Sequence, residues 1–296
     1  MRYNERELNV PSFPDFPSDG NSSVCPTGAL LWPNDSCSGP TINQSLCIGC
    51  CLCATRCPVG AISISKDGTT TVTDVDTNQI VEPDKANKED VREDFLRVKR
   101  IGCIRKENDR ILKHYSSGLI KALFHMGPRF PNIISRNLMI GTGWRAAARR
   151  AGDTNVRVDL VADRLEILSA IEVEFSNAII DAPRSVLDSL AILLSRYDKD
   201  RSKIIGLVAA LELPNLRSEY WQVIADIQKA LDVRVYTVTV TALSMLLWNN
   251  AVFGHVPDSL PFATIGHASI RDAIEMSLGR SLELSLGCAS ALESSK

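Results

Sequence analysis

The chain has 296 residues, of which 45% are hydrophobic and 23% charged, and its formal net charge is −2. This length allows a full hydrophobic core and favours two domains, one small and one large. No apolar run is long enough to cross a membrane, and residues 1–20 are polar and proline-rich, unlike a signal peptide. We therefore predict a cytoplasmic protein with no membrane partner, and the near-neutral charge neither favours nor excludes nucleic acid.

The cysteines are concentrated in one short stretch, since five of the nine lie between residues 47 and 57. This density indicates metal binding in a reducing compartment. Two residues between successive cysteines let one tight loop point their thiolates in different directions, and Gly49 allows the sharp turn. Zinc is the alternative, although zinc sites usually pair two C-x2-C motifs or add histidines. The spacing is C-x2-C-x2-C-x3-C-P, formed by Cys47, Cys50, Cys53 and Cys57.

This run resembles that of bacterial ferredoxins, where it holds cubane iron–sulfur clusters. In that family the fourth cysteine of a run binds the other cluster, so the resemblance implies a remote fourth ligand here. Cys25 is the candidate, because Cys25 and Cys57 each begin the pattern Cys-Pro-x-Gly-Ala-apolar. Residues 21–65 therefore resemble a ferredoxin module with one 4Fe–4S cluster, and Cys57 either packs or assists a second cluster. The predicted ligands are Cys25, Cys47, Cys50 and Cys53.

After the second Cys-Pro turn, the sequence predicts strands at 61–65 and 70–75 joined by the turn Lys66-Asp67-Gly68. This hairpin would complete an α+β, ferredoxin-like domain over residues 1–80. Residues 81–104 are predicted as a linker that merges into a helix, which runs from about Glu89 to Met126. Residues 132–150 are predicted to be helical, with a break at Gly141-Thr142-Gly143.

From residue 155 onwards, strands and helices are predicted to alternate. Continuous apolar runs separated by helices indicate a mixed sheet buried on both faces. We therefore predict an α/β domain over residues 105–296 that ends in a helical tail. Strands are predicted at 156–162, 165–175, 204–211 and 233–240, and helices at 183–197, 218–231, 242–249 and 269–278.

A second candidate site lies on the first two of these strands. Glu172 and Glu174 alternate on one strand and share a face, and the hairpin can bring Asp159 beside them. Three carboxylates inside a sheet favour a divalent cation such as Mg2+ or Mn2+, which can activate water and hold a phosphate. The alternative is that these residues form an ordinary solvated face.

The pattern Val-Asp159-Leu and Ile-Glu172-Val-Glu174-Phe resembles the PD-(D/E)xK nuclease superfamily, which has the restriction-endonuclease fold. The resemblance covers about residues 105–245. It implies that Asp159 and Glu172 are metal ligands and that Glu174 stands where the family usually has a catalytic lysine. It also implies a nucleic-acid partner. The arginines that could contact phosphate are Arg145, Arg149, Arg150, Arg157, Arg184 and Arg196.

Three functional hypotheses follow from the two patterns. The first is an iron–sulfur protein whose nuclease-like domain cleaves phosphodiesters with a divalent metal at Asp159, Glu172 and Glu174. The second is an electron-transfer or redox-sensing subunit of a larger complex, whose nuclease-like domain is an inactive scaffold. The third is a catalytically inactive DNA-binding subunit of a larger assembly. Cleavage of plasmid DNA or a reversible cluster potential would separate the first two.

Overall fold

The computed structural model describes residues 16, 24–31, 39–57, 61–65, 68–72, 107–154, 157–164, 166–251, 253, 269–284 and 290–295. Among the described residues of the N-terminal part, two short antiparallel strand pairs lie on either side of a short helix in the sequence. The predicted hairpin is confirmed, with Ile62 paired to Val72 and Ile64 to Thr70. The elements are β1 (Leu30–Leu31), β2 (Thr41–Ile42), α1 (Leu52–Arg56), β3 (Ile62–Ile64) and β4 (Thr70–Val72).

The rest of the described chain is built on a five-stranded mixed sheet in the order β5-β6-β7-β8-β9. The pairs β5–β6 and β6–β7 are antiparallel, whereas β7–β8 and β8–β9 are parallel. Every residue of β8 is buried, as its continuous apolar sequence predicted. The strands are β5 (Arg145–Ala148), β6 (Leu160–Arg164), β7 (Ile167–Glu174), β8 (Ile204–Ala210) and β9 (Val235–Thr239).

Helices cover this sheet, and one of them lies very close to it. A Cβ atom added to Gly206 of β8 would lie 2.3 Å from a methyl carbon of Val186, so the glycine allows the close approach. The predicted helices after residue 180 are confirmed to within two residues at either end. The helices are α2 (Asp109–His125), α3 (Phe130–Gly141), α4 (Ala182–Arg196), α5 (Glu219–Leu231), α6 (Val240–Trp248) and α7 (Arg271–Leu278).

The predicted helix over residues 132–150 is wrong in its second half. The chain leaves α3 at Gly141 and then forms strand β5, in which Ala146 pairs with Ala162 of β6. The sequence Arg-Ala-Ala-Ala favours a helix locally, but pairing with β6 outweighs that propensity. The predicted break is correct, because Thr142 ends the helix and Gly143 has a φ of 97°.

Helix α2 begins later in the described chain than the helix predicted from Glu89. The side chain of Asn108 accepts a hydrogen bond from the backbone amide of Ile111, which caps the first turn. The helix ends before Met126, as Gly127 and Pro128 predicted. The predicted linker at 81–104 lies outside the described residues.

The apolar side chains of the N-terminal part and of the sheet belong to one continuous core. Asn137 of α3 donates a hydrogen bond to the backbone oxygen of Val24 over 3.1 Å. A Cβ atom added to Gly118 of α2 would lie 3.1 Å from the side chain of Ile48. The predicted domains 1–80 and 105–296 therefore share a core. Within the described ranges, none of the helices combines the length and the apolar character that a membrane crossing requires.

Candidate metal centre

The four cysteines predicted as ligands line a single cavity in the N-terminal part. Cys25 follows Val24 on the first Cys-Pro turn, and the other three lie between β2 and the end of α1's first turn. Cys51 also contributes to the wall, whereas Cys57 is not among the described residues that line the cavity. The remaining wall is mostly apolar and is formed by Thr27, Ala29, Leu30, Ile42, Ile48, Ile64 and Thr70.

The loop that carries Cys47, Cys50 and Cys53 takes its shape from two left-handed residues. Gly49 has a φ of 67°, which glycine adopts without steric cost and which the sequence predicted. Cys51 has the same φ of 67°, which is uncommon for a residue with a side chain. These two left-handed residues flank Cys50, and the cysteines of this loop, Cys47, Cys50 and Cys53, all line the same cavity.

The cysteines that begin the two Cys-Pro repeats share one hydrogen bond. The sulfur of Cys25 accepts a hydrogen bond from the amide of Ala29 over 3.1 Å. The sulfur of Cys57 accepts one from the amide of Ala61 over 3.3 Å. Cys25 lines the cavity, whereas Cys57 packs in the core and is not among the described residues that line it.

The buried thiols lie close enough to influence one another's ionisation. Burial raises the pKa of the Cys50 thiol well above its ordinary value, and the nearby Cys25 and Cys53 raise it further. Burial likewise raises the pKa of Cys53, with added effects from Cys25 and Cys47. Several thiolates cannot share this site unless positive charge joins them, and metal ions supply that charge.

Hydroxyl and indole groups that the sequence did not single out contact these cysteines. The hydroxyl oxygen of Thr70 lies 3.1 Å from the sulfur of Cys47, and that of Thr27 lies 3.6 Å from the sulfur of Cys25. The indole nitrogen of Trp248 donates to the backbone oxygen of Cys50 over 3.1 Å. No sequence spacing could identify these partners, because Trp248 lies 198 positions from Cys50.

The four cysteines predicted as ligands line the cavity, and four thiolates are the ligand set of a cubane cluster. Within the described part of the chain, no three His, Cys, Asp or Glu side chains converge closely enough to hold one metal ion. A zinc site requires that convergence. A cubane cluster instead takes one thiolate at each of four separated iron atoms, so it needs a lined cavity.

The predicted carboxylates lie near one another on the sheet. The Asp159 carboxylate accepts hydrogen bonds from the Val173 amide over 3.1 Å and from Asn132 over 3.3 Å. Burial raises the pKa of Glu172 to about 7, and the charges of Asp159 and Glu174 add to this effect. Burial also raises the pKa of Asp159. The group is therefore mutually repulsive, as the shared face predicted, but it does not converge on a single-ion site.

Three of the six arginines in the predicted patch form ion pairs within the protein. Arg145 forms an ion pair with Asp163 across β5 and β6, and a guanidinium nitrogen of Arg149 lies 3.9 Å from Asp159. Arg184 pairs with Asp181 and with Glu219. These arginines therefore balance nearby carboxylates.

The N-terminal part matches known iron–sulfur proteins. Residues 40–63 match the model of a family described as a 4Fe-4S binding domain. This match and the cysteine-lined cavity together identify a 4Fe–4S binding segment, and the protein is an iron–sulfur protein in that segment.

One curated relative extends this comparison. Over 42 residues the chain is 52% identical to Hydrogenase-4 component A of Escherichia coli (strain K12). That stretch is 14% of this chain and 19% of the relative. No solved structure matches the chain. Neither match supports the predicted restriction-endonuclease-like domain, nuclease activity, Mg2+ or Mn2+, or a nucleic-acid partner.

Proposed function

We propose that the protein transfers electrons through one 4Fe–4S cluster and exchanges them with a protein partner in a larger complex. The observation that carries this proposal is the cavity, where Cys25 lies beside cysteines of the matched 4Fe–4S segment, residues 40–63. The relative is named as a hydrogenase component, which favours a protein partner. The proposed ligands are Cys25, Cys47, Cys50 and Cys53.

The residues around the cavity have distinct roles in this proposal. When bound, the cluster supplies a centre that gains and loses single electrons. Ile48, Ile64 and Leu30 exclude water from it, and the hydroxyl of Thr70 donates a hydrogen bond to the Cys47 thiolate. The raised pKa values of Cys50 and Cys53 mean that loading releases protons, so binding strengthens as the pH rises.

Replacement of single cysteines tests the ligand assignment. Cys25→Ala should remove most of the bound iron and the brown absorbance of the holoprotein. Cys57→Ala is the matched control, because its sulfur has the same amide contact but does not line the cavity. Equal loss of iron in the two variants, or loss only in Cys57→Ala, would reject Cys25 as the fourth ligand. A cluster that cannot be reversibly reduced in the wild-type protein would reject electron transfer.

A second candidate function is metal-dependent cleavage of nucleic acid by the sheet. We propose it because Asp159 and Glu174 lie near Glu172, and burial together with their charges raises the pKa of Glu172 to about 7. A divalent cation would have to draw the carboxylates together, since they do not converge within the described residues.

Plasmid nicking tests this second candidate. If the sheet is a nuclease, Mn2+ or Mg2+ should support nicking by the holoprotein, and Glu172→Ala should abolish it. Glu166→Ala is the control, because Glu166 lies at the opposite end of β7 and pairs with Lys203. Absence of nicking, together with a melting temperature that neither cation changes, would show that the carboxylates only shape the fold.

A further inference from the structure

Helix α2 separates the cysteine-bearing loop from solvent along one side. Its inner face buries Ile111, Leu112, Tyr115, Leu119 and Ala122. At Gly118 the helix backbone comes so close to Ile48 that an added Cβ atom would lie 3.1 Å from that side chain. Ile48 lies between the proposed ligands Cys47 and Cys50. Because a helix is about 10 Å across, a molecule on its outer face would be roughly that far from the loop.

The outer face of α2 has the composition of a docking surface. Phe124 is 81% exposed, and Ile120, one turn earlier, is 48% exposed. Residues four apart on a helix lie on the same side, so these two apolar side chains form one patch. An exposed phenylalanine beside an exposed isoleucine is unfavourable in water and typical of the centre of an interface.

The charged side chains of α2 itself are mostly positive. Asp109, in the first turn, is the one acidic residue of α2, so the outer face is electropositive. A cationic rim around an apolar centre complements an acidic protein surface with apolar residues at its middle. A nucleic acid would use the cations but would leave most of the apolar patch unmatched. The exposed basic residues of the helix are Arg110, Lys113, His114, Lys121 and His125.

We propose that the outer face of α2, centred on Phe124 and Ile120, docks an acidic protein that exchanges electrons with the cluster. This proposal rests on the proposed electron-transfer function. Docking on this face brings the partner's redox centre to the side of the helix opposite Ile48. The step transfers one electron: the reduced cluster is oxidised, the partner's cofactor is reduced, and any proton that the partner takes up comes from solvent.

Electron transfer to an acidic flavodoxin tests the docking surface. The reduced holoprotein is mixed with oxidised flavodoxin, and the rate of flavin reduction is followed in a stopped-flow spectrometer. Lys121→Glu and Phe124→Ser should each lower the bimolecular rate constant roughly tenfold at low salt, because the first reverses a steering charge and the second removes the apolar contact. Added salt should slow the wild-type protein but have little effect on Lys121→Glu.

Control variants on other exposed helix faces separate docking from general effects. Lys229→Glu on α5 makes the same charge change, and Met276→Ser on α7 removes an exposed apolar side chain that is 68% accessible. Neither should change the rate constant with flavodoxin by more than roughly twofold, as expected for charges outside the interface. All four variants should reduce the small acceptor benzyl viologen at the wild-type rate, which shows that the cluster is intact.

The outcomes distinguish this proposal from the proposed function. Wild-type rates with flavodoxin in Lys121→Glu and Phe124→Ser would overturn the docking surface while leaving electron transfer in place. Failure of the wild-type protein to reduce either acceptor would overturn electron transfer, and the docking surface with it. Single-stranded DNA that binds the protein through Lys121 while flavodoxin rates stay unchanged would assign the face to nucleic acid and reject the acidic protein partner.

Discussion

The side-chain hydroxyl of Thr70 lies 3.1 Å from the sulfur of Cys47. Thr70 belongs to β4, so the hairpin delivers a hydrogen-bond donor to a loop that lies 23 positions earlier in the sequence. Both residues line the cavity, and Thr70 itself is buried. When Cys47 binds iron as a thiolate, the hydroxyl must donate, because the sulfur no longer carries a proton.

Removal of this donor should change the reduction potential of the cluster. Thr70→Val keeps the shape of the side chain but removes the hydroxyl. A hydrogen bond to a ligand sulfur stabilises the reduced, more negative cluster, so its loss should lower the potential. The control is Thr71→Val on the same strand, where the hydroxyl contacts exposed Ser63 over 3.0 Å. A potentiometric titration of both variants checks this prediction, and equal potentials in the two would contradict it.

The buried indole of Trp248 should hold the cysteine loop in place. In Trp248→Phe, the backbone oxygen of Cys50 loses its donor and the unfolding free energy should fall by about 1–3 kcal/mol. The bound cluster should also be lost faster to a chelator. Trp221→Phe is a matched control, because its indole donates to the Asn215 oxygen over 3.1 Å far from the loop. Denaturant unfolding and the rate of bleaching measure the two effects, and equal bleaching rates would count against the prediction.

The stability contributed by Glu172 should depend on pH. Its folded-state pKa of about 7 lies above the unfolded value, so the folded protein favours the neutral acid. Stability should therefore fall as the pH rises from about 4.5 to about 7, the window between the unfolded and folded pKa values. Glu172→Gln should flatten that decline and be the more stable protein above pH 7. Glu166→Gln, which replaces an exposed carboxylate paired with Lys203, should keep the wild-type slope. Unfolding free energies measured across this range would refute the prediction if Glu172→Gln followed the wild-type curve.

A buried ion pair joins three distant parts of the chain. Glu107 is 1% exposed, and its carboxylate accepts hydrogen bonds from Arg280 over 2.5 and 2.8 Å and from Asn249 over 2.8 Å. Burial alone would raise the pKa of Glu107, but these hydrogen bonds lower it below its ordinary value. Its contribution to stability is therefore present above the unfolded pKa and is lost as the pH falls through the folded pKa.

Replacement of Arg280 should leave the buried negative charge of Glu107 uncompensated. Arg280→Met is expected to lower the unfolding free energy at neutral pH by about 3 kcal/mol. The deficit should shrink on acidification, because protonation of Glu107 relieves the unpaired charge. Arg184→Met removes exposed ion pairs with Asp181 and Glu219 and should have little effect. Urea unfolding near pH 7 and near pH 4 tests this, and a deficit independent of pH would point to lost packing alone.

The sequence was most informative where chemistry and spacing were local. The run from Cys47 to Cys57, its echo at Cys25 and the left-handed Gly49 were all readable, because each depends on neighbouring residues. Local patterns were therefore enough to single out the cysteines that line the cavity and to predict most helices and strands.

The features that the sequence did not predict depend on contacts between distant residues. Strand β5 was predicted as a helix because only pairing with β6 makes Ala146–Ala148 extended. The Thr70 and Trp248 contacts depend on how the hairpin and α6 pack around the loop, and no short-range pattern specifies that. The shared core likewise contains apolar side chains such as Ile48 and Leu138. Such residues suit any buried position, so the sequence does not show which part of the chain they pack against.

The hydrogen bond between Trp248 and Cys50 also has a consequence for biosynthesis. Ribosomes make the cysteine loop first, but its indole partner is made 198 positions later. The final packing around the loop can form only after α6 has left the ribosome. Iron and sulfide delivered to the nascent loop would therefore arrive before α6 packs against it. Delivery to the finished chain would require the packing of α6 against the loop to open.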